Sequence, residues 1–398
     1  MGRAEDEHTS VTQRLELPAQ EAFEGRSIRV PVPTSVQPSL STAPLRRRDT
    51  LMRLARTERQ FLLLLGAAFF VAAAATPFPG VARWVGFTLA AYSAVANDSI
   101  QTVGVFLASN RRRPWWLLWL FIGGVFLVTA GYGWVAHGGD VSYGRLASKG
   151  FSETPQSFSF LQVAAPIFLL LITRLRMPVS TTFLLLSCFA TDPGGIQDVL
   201  TKSLWGYVVA FVTAIVAWFI VGRLMRRVEQ RPMHPAWYPA QWAATGALWA
   251  AWIMQDAANL AVYLPRQLGP VEFAAFAGTV FLGLGVLFYL RGDRIQQVVD
   301  EKSSVEDIRS ATVIDFVYAI ILFGFKEVST IPMSTTWVFI GLLAGRELVL
   351  ALRGASDRPL RDGLRLAGRD VAYCTAGLVI SVVLALGANP AFRAAVFE

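Results

Sequence analysis

Long apolar runs, separated by short polar stretches, follow one another through most of the chain. Helices of soluble bundles show a polar stripe that recurs with every turn, but these runs are apolar on all sides. Several of them approach the roughly 20 residues that an α-helix needs to cross a bilayer. The runs cover 61–76, 115–136, 158–172, 208–221, 240–253, 273–290, 314–323 and 371–386. The pattern predicts an all-α polytopic membrane protein.

Composition strengthens this prediction and narrows the functional classes. The chain is 54% hydrophobic and 16% charged, whereas soluble domains carry about 25% charged residues. The two cysteines lie in apolar segments and the three histidines are scattered, so we expect neither a disulfide framework nor a zinc site. Phosphate-binding loops, dinucleotide fingerprints and nucleophile elbows are missing from the sequence. We therefore expect a protein that is not an enzyme and that carries no cofactor.

Residues 1–60 differ from the rest of the chain, because they are polar and rich in Pro, Ser, Thr and Glu. This composition predicts a disordered tail, and its acidic start without an apolar core is unlike a signal peptide. Arginines at 46–48, 53, 56 and 59 precede the first apolar run. Basic residues that flank a first span favour a cytoplasmic N-terminus in the cell membrane.

Arginine clusters then predict the topology. With a cytoplasmic N-terminus, the clusters at 111–113, 223–231, 291–309 and 346–369 all fall on the cytoplasmic side, as the positive-inside rule requires. The net charge of +8 is thereby explained by contact with the bilayer and needs no nucleic-acid partner. The topology of segment 157–192 is not decided by this rule, because the segment fits either two full crossings or a re-entrant hairpin.

Two short polar motifs each occur twice within apolar sequence. One is Ser-Thr-Thr, at 180–182 and again at 334–336, and the other surrounds Asp98 and Asp256 with amide side chains. Asp98 precedes Ser180 by 82 residues, and Asp256 precedes Ser334 by 78. The same motifs in the same order at similar spacing indicate an internal repeat.

The two repeats are predicted to be inverted with respect to each other. Each contains five segments, an odd number, so the second enters the membrane from the opposite side. We expect a first transporter repeat over 83–226, a cytoplasmic linker over 227–239 and a second repeat over 240–390, with 61–82 as an extra transmembrane helix. Inverted repeats of this kind are typical of secondary transporters, whose substrate sites lie where broken helices meet.

These motifs resemble those of the inorganic phosphate transporter (PiT) family, in which Gly-Ala-Asn-Asp-Val-Ala-Asn and Pro-Val-Ser-Thr-Thr-His each occur twice. This chain reads VANDSIQ and PVSTTF in its first half, and IMQDAAN and PMSTTW in its second. The resemblance covers about residues 83–390 and marks a divergent member, since Val95 and Ile253 replace the glycines and Phe183 and Trp337 the histidines. It implies two inverted repeats with re-entrant or broken helices, about 11 membrane segments, phosphate transport and a homodimer.

The residues of the two Ser-Thr-Thr motifs are suited to an anion. Proline starts a helix well, Ser and Thr cap its first turn, and the free N–H groups of that turn attract negative charge. An alternative is that the hydroxyls only cap a re-entrant helix or bond back to its carbonyls. The residues predicted to bind the substrate are Ser180, Thr181, Thr182, Ser334, Thr335, Thr336, Asn97, Gln101, Gln255 and Asn259.

Asp98 and Asp256 are the predicted ligands of a coupling cation. A carboxylate at bilayer depth costs about 2.5–3.5 kcal/mol on insertion scales, so it normally has a partner or a function. Carboxylate and amide oxygens are suitable ligands for Na⁺. Proton coupling through the same carboxylates agrees equally well with the sequence. A third possibility is that each aspartate only pairs with the neighbouring amides as part of the structure.

The sequence thus favours cation-coupled secondary transport of inorganic phosphate or a similar small oxyanion. One alternative is the same scaffold with altered anion specificity, for example for sulfate. The other is a transport-inactive membrane receptor or structural protein that retains the fold.

Overall fold

The computed structural model describes residues 59–110, 112–147, 150–174, 179–289, 307–328, 330–353 and 360–397. The predicted tail over 1–60 lies outside the described residues, apart from positions 59 and 60, which begin the first helix.

The described residues form α-helices and one short 3₁₀ turn, with no β-strand among them. Several helix starts are encoded locally: α2 and α8 both have proline as their first residue, where the missing N–H costs nothing. The helices are α1 Arg59–Ala75, α2 Pro79–Ser109, α3 Trp115–Ala136, α4 Phe160–Arg174, α5 Thr181–Leu186, α6 Pro193–Glu229, α7 Trp237–Ala261, α8 Pro270–Tyr289, α9 Ile308–Val328, α10 Thr335–Leu352, α11 Leu360–Ala388 and α12 Pro390–Phe397. The all-α prediction is confirmed.

Six of these helices are long and apolar enough to cross a membrane. Their outward faces carry large apolar side chains: on α3, Val128 and Val135 are each 74% exposed, whereas Phe126 and Ala130 are buried. Such a surface is unfavourable in water but matches hydrocarbon. The chain is a multi-pass membrane protein. The six spans are Trp115–Ala136, Gly194–Gly222, Pro270–Tyr289, Ile308–Val328, Thr335–Leu352 and Val371–Ala388.

Helices α4 and α5 form the segment that the sequence left open. Helix α4 has 15 residues, which corresponds to about 22 Å, and α5 has only six. Neither is as long as the roughly 30 Å of the hydrocarbon core. The chain after α5 returns to the start of α4, since the Gln162 Nε2 donates to the Cys188 carbonyl at 2.9 Å. These lengths favour a re-entrant hairpin over two full crossings.

Helix α10 is held against α6 by small residues. Gly341 and Gly345 face the backbone carbonyls of Tyr207 and Phe211, and a Cβ atom at either glycine would collide with those oxygens. The Ser203 hydroxyl of α6 also accepts a hydrogen bond from the Ser334 backbone N–H, at 2.8 Å. The start of α10 is therefore fixed to α6 at the point where the second Ser-Thr-Thr motif begins.

Candidate transport site

Both Ser-Thr-Thr motifs stand at helix starts. Ser180 caps α5, its hydroxyl accepting from the Phe183 N–H at 3.2 Å, and Ser334 caps α10 in the same way through the Trp337 N–H at 3.3 Å. Both serines have extended backbones, which is the usual conformation of an N-cap residue. The serine oxygens thus act as caps of the two helix starts.

The first threonine of each motif bonds to the aspartate of its own repeat. The Thr181 hydroxyl donates to Asp98 Oδ2 at 2.7 Å, and the Thr335 hydroxyl donates to Asp256 Oδ2 at 2.5 Å. Both aspartates are 1% exposed. A carboxylate removed from water needs such donors, because an unpaired buried charge is costly. The two motifs of each half are therefore parts of one site.

An asparagine amide donates a further hydrogen bond to each carboxylate. The Asn97 amide donates to Asp98 Oδ1 at 2.8 Å, and the Asn259 amide donates to Asp256 Oδ1 at 2.9 Å. The two asparagines lie on opposite sequence sides of their aspartates, yet they perform the same contact. The side chain of Gln101 lies outside the described part of the chain.

The second threonine of each motif joins the two halves. The Thr182 hydroxyl donates to the Met333 carbonyl at 3.1 Å, and the Thr336 hydroxyl donates to the Val179 carbonyl at 3.3 Å. Thr182 also reaches Asp256 Oδ1, at 3.3 Å. We call Asp98, Asp256, the two Ser-Thr-Thr motifs, Asn97 and Asn259 the central cluster. The structure brings all of these predicted residues together in one buried place.

Two oxygens of the central cluster's neighbourhood lack hydrogen-bond partners. Gln255 Oε1 and Asn259 Oδ1 are buried, and no described residue donates to either of them. In the other half, Asn97 Oδ1 accepts from the Thr173 hydroxyl at 2.9 Å. An unpaired buried carbonyl oxygen normally costs about 1–3 kcal/mol. Asp256 and Asn259 Oδ1 are oxygens of the kind that a hard cation prefers.

Electrostatics makes two ionised aspartates in this cluster unfavourable without a counter-charge. Asp98 and Asp256 are near enough to repel each other, and at this depth little water screens the repulsion. No group of three or more His, Cys, Asp or Glu side chains that could hold a metal occurs among the described residues. A cation here would therefore be held by carboxylate, amide and hydroxyl oxygens.

Sequence reasoning missed two basic residues beside the second half of the cluster. Arg145 and Lys202 belong to none of the arginine clusters that predict the topology. Arg145 is 1% exposed, and burial lowers the pKa of its guanidinium to about 10, an effect that Asp256 opposes. It is therefore protonated at neutral pH. The sequence carries no signal for this, because a loop arginine has the same local pattern whether it is buried or exposed.

A third buried acid lies apart from the central cluster. Asp315 lies within α9 and is 1% exposed. The Thr245 hydroxyl of α7 donates to its Oδ2. This contact links α7 to α9 and does not involve the central cluster.

No protein-family model and no curated protein matches the chain. It is similar to a solved structure described as "The sodium-dependent phosphate transporter", with a TM-score of 0.52 and 15% sequence identity. The match covers 82% of this chain and 98% of the other. At this identity the likeness shows the fold alone, and the predicted all-helical membrane architecture is confirmed.

Proposed function

We propose that the protein is a cation-coupled secondary transporter, a symporter, of inorganic phosphate or a similar small oxyanion. The observation that carries the proposal is the contact between the two Ser-Thr-Thr motifs and the two buried aspartates. Helix breaks with hydroxyl side chains are suited to anions, while buried carboxylates need a cation. The equivalent contacts of the two halves support the inverted repeats expected from the sequence.

The hydrogen bonds of the central cluster provide a reason for coupling. Thr181 and Thr335 donate their hydroxyl protons to Asp98 and Asp256, so neither proton is free for an anion. A cation that binds the carboxylates satisfies them and releases the hydroxyls. The same cation offsets the repulsion between the carboxylates and an incoming anion. Anion binding is therefore favourable only after, or together with, cation binding.

Na⁺ is the favoured coupling ion. Gln255 Oε1 and Asn259 Oδ1 lack donors among the described residues, and amide oxygens of this kind are suitable ligands for Na⁺. The solved structure with the similar fold is described as sodium-dependent, which supports the same choice. Protonation of Asp98 and Asp256 is the alternative route to a neutral cluster.

Uptake of labelled phosphate and sulfate by proteoliposomes that contain the full chain tests the proposal. We expect an inward Na⁺ gradient to drive phosphate uptake above that of protein-free liposomes, and dissipation of the gradient to abolish it. Uptake of sulfate instead would indicate the same scaffold with altered specificity. Absence of uptake of both anions under Na⁺ and pH gradients would contradict transport and leave a receptor or structural role.

A further inference from the structure

Asp315 is a buried aspartate that the proposed coupling does not use. It is the eighth residue of α9, one of the helices that are long and apolar enough to cross a membrane. It therefore lies about 10 Å along the helix from its start. The Asp315 side chain is 1% exposed, and Thr245, its neighbour on α7, is 0% exposed. An ionisable residue at such a depth normally has a function.

The surroundings of Asp315 offer one hydroxyl and no positive charge. The Thr245 hydroxyl donates to Asp315 Oδ2, and the described residues provide no lysine, arginine or histidine that offsets the carboxylate. A carboxylate with one neutral donor is costly to bury, whereas a protonated carboxyl costs much less. Hard metal cations need several oxygen ligands, but the carbonyls of α7 and α9 here are engaged in the helices themselves. A proton needs only one oxygen, so the proton is the cation that fits this site.

The charged groups of the neighbouring helices leave Asp315 without a counter-charge. Helices α2, α6, α7 and α10 pack against α9. The buried titratable side chains that these helices and α9 carry, besides Asp315, are Asp98, Asp256, Arg309, Tyr318 and Arg346. In the described part of the chain, neither they nor the half-buried Lys202 of α6 interact electrostatically with Asp315. The ionisation of Asp315 is therefore decided by the Thr245 hydroxyl and the apolar side chains around it.

Tyr318 connects this part of α9 to the central cluster. It lies one turn after Asp315, is fully buried, and its hydroxyl donates to the Thr335 carbonyl at 2.9 Å. The Thr335 hydroxyl in turn donates to Asp256. Side chains three residues apart lie on the same face of a helix, so a displacement of α9 at Asp315 is expected to shift the second Ser-Thr-Thr motif.

Polar side chains continue from Thr245 towards the side of the membrane on which α7 and α9 begin. Gln241, one turn earlier on α7, is 0% exposed, and its Oε1 accepts from the Asn110 amide at 2.9 Å. Asn110 directly follows the last residue of α2. These groups offer hydrogen-bond partners to water along a route by which a proton can reach Asp315. In the topology predicted from the arginine clusters, this side is the cytoplasm.

We propose that Asp315 is a proton-binding site, separate from the central cluster, through which pH controls transport. The inference rests on the proposed function and adds its regulation. With a proton bound, the neutral carboxyl packs between α7 and α9 beside Thr245. Loss of the proton leaves a charge without a counter-charge between the two helices, which favours their separation and the entry of water. The start of α10 then loses the support of Tyr318, and binding at the central cluster weakens.

Phosphate uptake by the full chain, at a fixed Na⁺ gradient and equal pH on both sides, tests this inference. We expect uptake by the unaltered protein to fall as pH rises, because the ionised form is the weaker binder. Asp315→Asn imitates the protonated carboxyl, so it should keep the low-pH rate at every pH. Phosphate itself also titrates, but it does so equally for every variant.

Thr245→Val distinguishes ionisation from a structural role. Valine keeps the shape and removes the hydroxyl that stabilises the carboxylate, so the midpoint of the pH response should move upwards by about one unit or more. A residue that only packs the two helices together would lower uptake at every pH and leave the midpoint in place. Asp198→Asn, at an exposed aspartate of α6, is the control and should change neither rate nor midpoint. Should Asp315→Asn fail to fold, Thr245→Val carries the test.

An infrared titration of the purified protein without phosphate detects the proton itself. The unaltered protein should show a carboxyl C=O band that disappears as pH rises, and Asp315→Asn should lack it. The inference is overturned if the pH response of uptake survives in Asp315→Asn, or if this variant lacks no titrating band; phosphate uptake by the unaltered protein would still uphold the proposed function. If no oxyanion is transported but the band is present, the proposed function fails while the proton-binding site is upheld.

Discussion

The hydroxyl of Thr182, on the short helix α5, donates a hydrogen bond to the backbone carbonyl of Met333, 3.1 Å away. The two residues are separated by 151 positions, and Met333 directly precedes the cap of α10. The contact joins the short helix of one half to the helix start of the other. Binding at either motif is therefore expected to affect the other, as a single site requires.

The threonines that face the aspartates are expected to control anion affinity. Thr181→Val with Thr335→Val preserves shape but removes two hydroxyl donors. A hydrogen bond to a charged group contributes about 1.5–3 kcal/mol, so the KM for phosphate should rise by more than about tenfold. Initial rates of uptake over a range of phosphate concentrations measure this change.

Thr375→Val is the control for that pair. The Thr375 hydroxyl is exposed on α11 and bonds back to the Val371 carbonyl at 2.9 Å, so its loss should leave KM unchanged. An unaltered KM in the Thr181, Thr335 double variant would indicate that these hydroxyls serve only the aspartates.

Asp98→Asn and Asp256→Asn are nearly isosteric and remove only the charges. Each should weaken the Na⁺ dependence of uptake by about tenfold or more, because a buried carboxylate is the strongest ligand available to a cation here. The amount of folded protein should change far less, since asparagine can still accept from Thr181 or Thr335. Na⁺ concentration curves at saturating phosphate, with Glu272→Gln as control, measure the effect.

A pH gradient provides the alternative outcome for the same variants. If the aspartates carry protons, uptake should respond to pH and not to Na⁺ even before substitution. Uptake that remains fully ion-coupled in the Asp98→Asn, Asp256→Asn double variant would leave both aspartates as structural partners of the amides.

The close approach of α6 and α10 is expected to tolerate no added side-chain atom. Gly345→Ala places a methyl group against the Phe211 carbonyl, and overpacking of this kind costs about 1–3 kcal/mol. Gly283→Ala, on α8, has open space around the new atom and should be neutral. Thermal unfolding of the detergent-solubilised protein compares them, and equal stability of the two variants would contradict the packing described here.

The membrane helices were largely predictable from the sequence, because a long apolar run is a local signal. The apolar run over 115–136 agrees with helix Trp115–Ala136. Helix α5 was not predictable in the same way: the apolar run continues to Ala190, but the helix ends at Leu186. Beyond the helix end, the Asn389 amide donates hydrogen bonds to the carbonyls of Ser187 and Ala190, at 3.0 and 2.7 Å. A cap that comes from about 200 residues away leaves no trace in the local pattern.

The residues of the candidate site were predictable from the sequence, but their hydrogen-bond partners were not. Repetition of the motifs identified Asp98, Asp256 and the two Ser-Thr-Thr motifs, since symmetry needs only sequence spacing. The threonines were expected to donate to an anion, yet Thr181 and Thr335 donate to the aspartates. Which of two acceptors a hydroxyl chooses depends on distances of a few tenths of an ångström, and these are set by the packing of helices distant in sequence.

In the proposed coupling, cation binding at the aspartates releases the threonines for an anion. Reciprocal binding tests it most directly: phosphate affinity is measured with and without Na⁺, and Na⁺ affinity with and without phosphate, on the same purified protein. We expect each ligand to raise the affinity for the other by one and the same factor, and the Asp98→Asn, Asp256→Asn double variant to lose this coupling. Phosphate binding of equal strength with and without Na⁺, at every pH tested, would contradict the account.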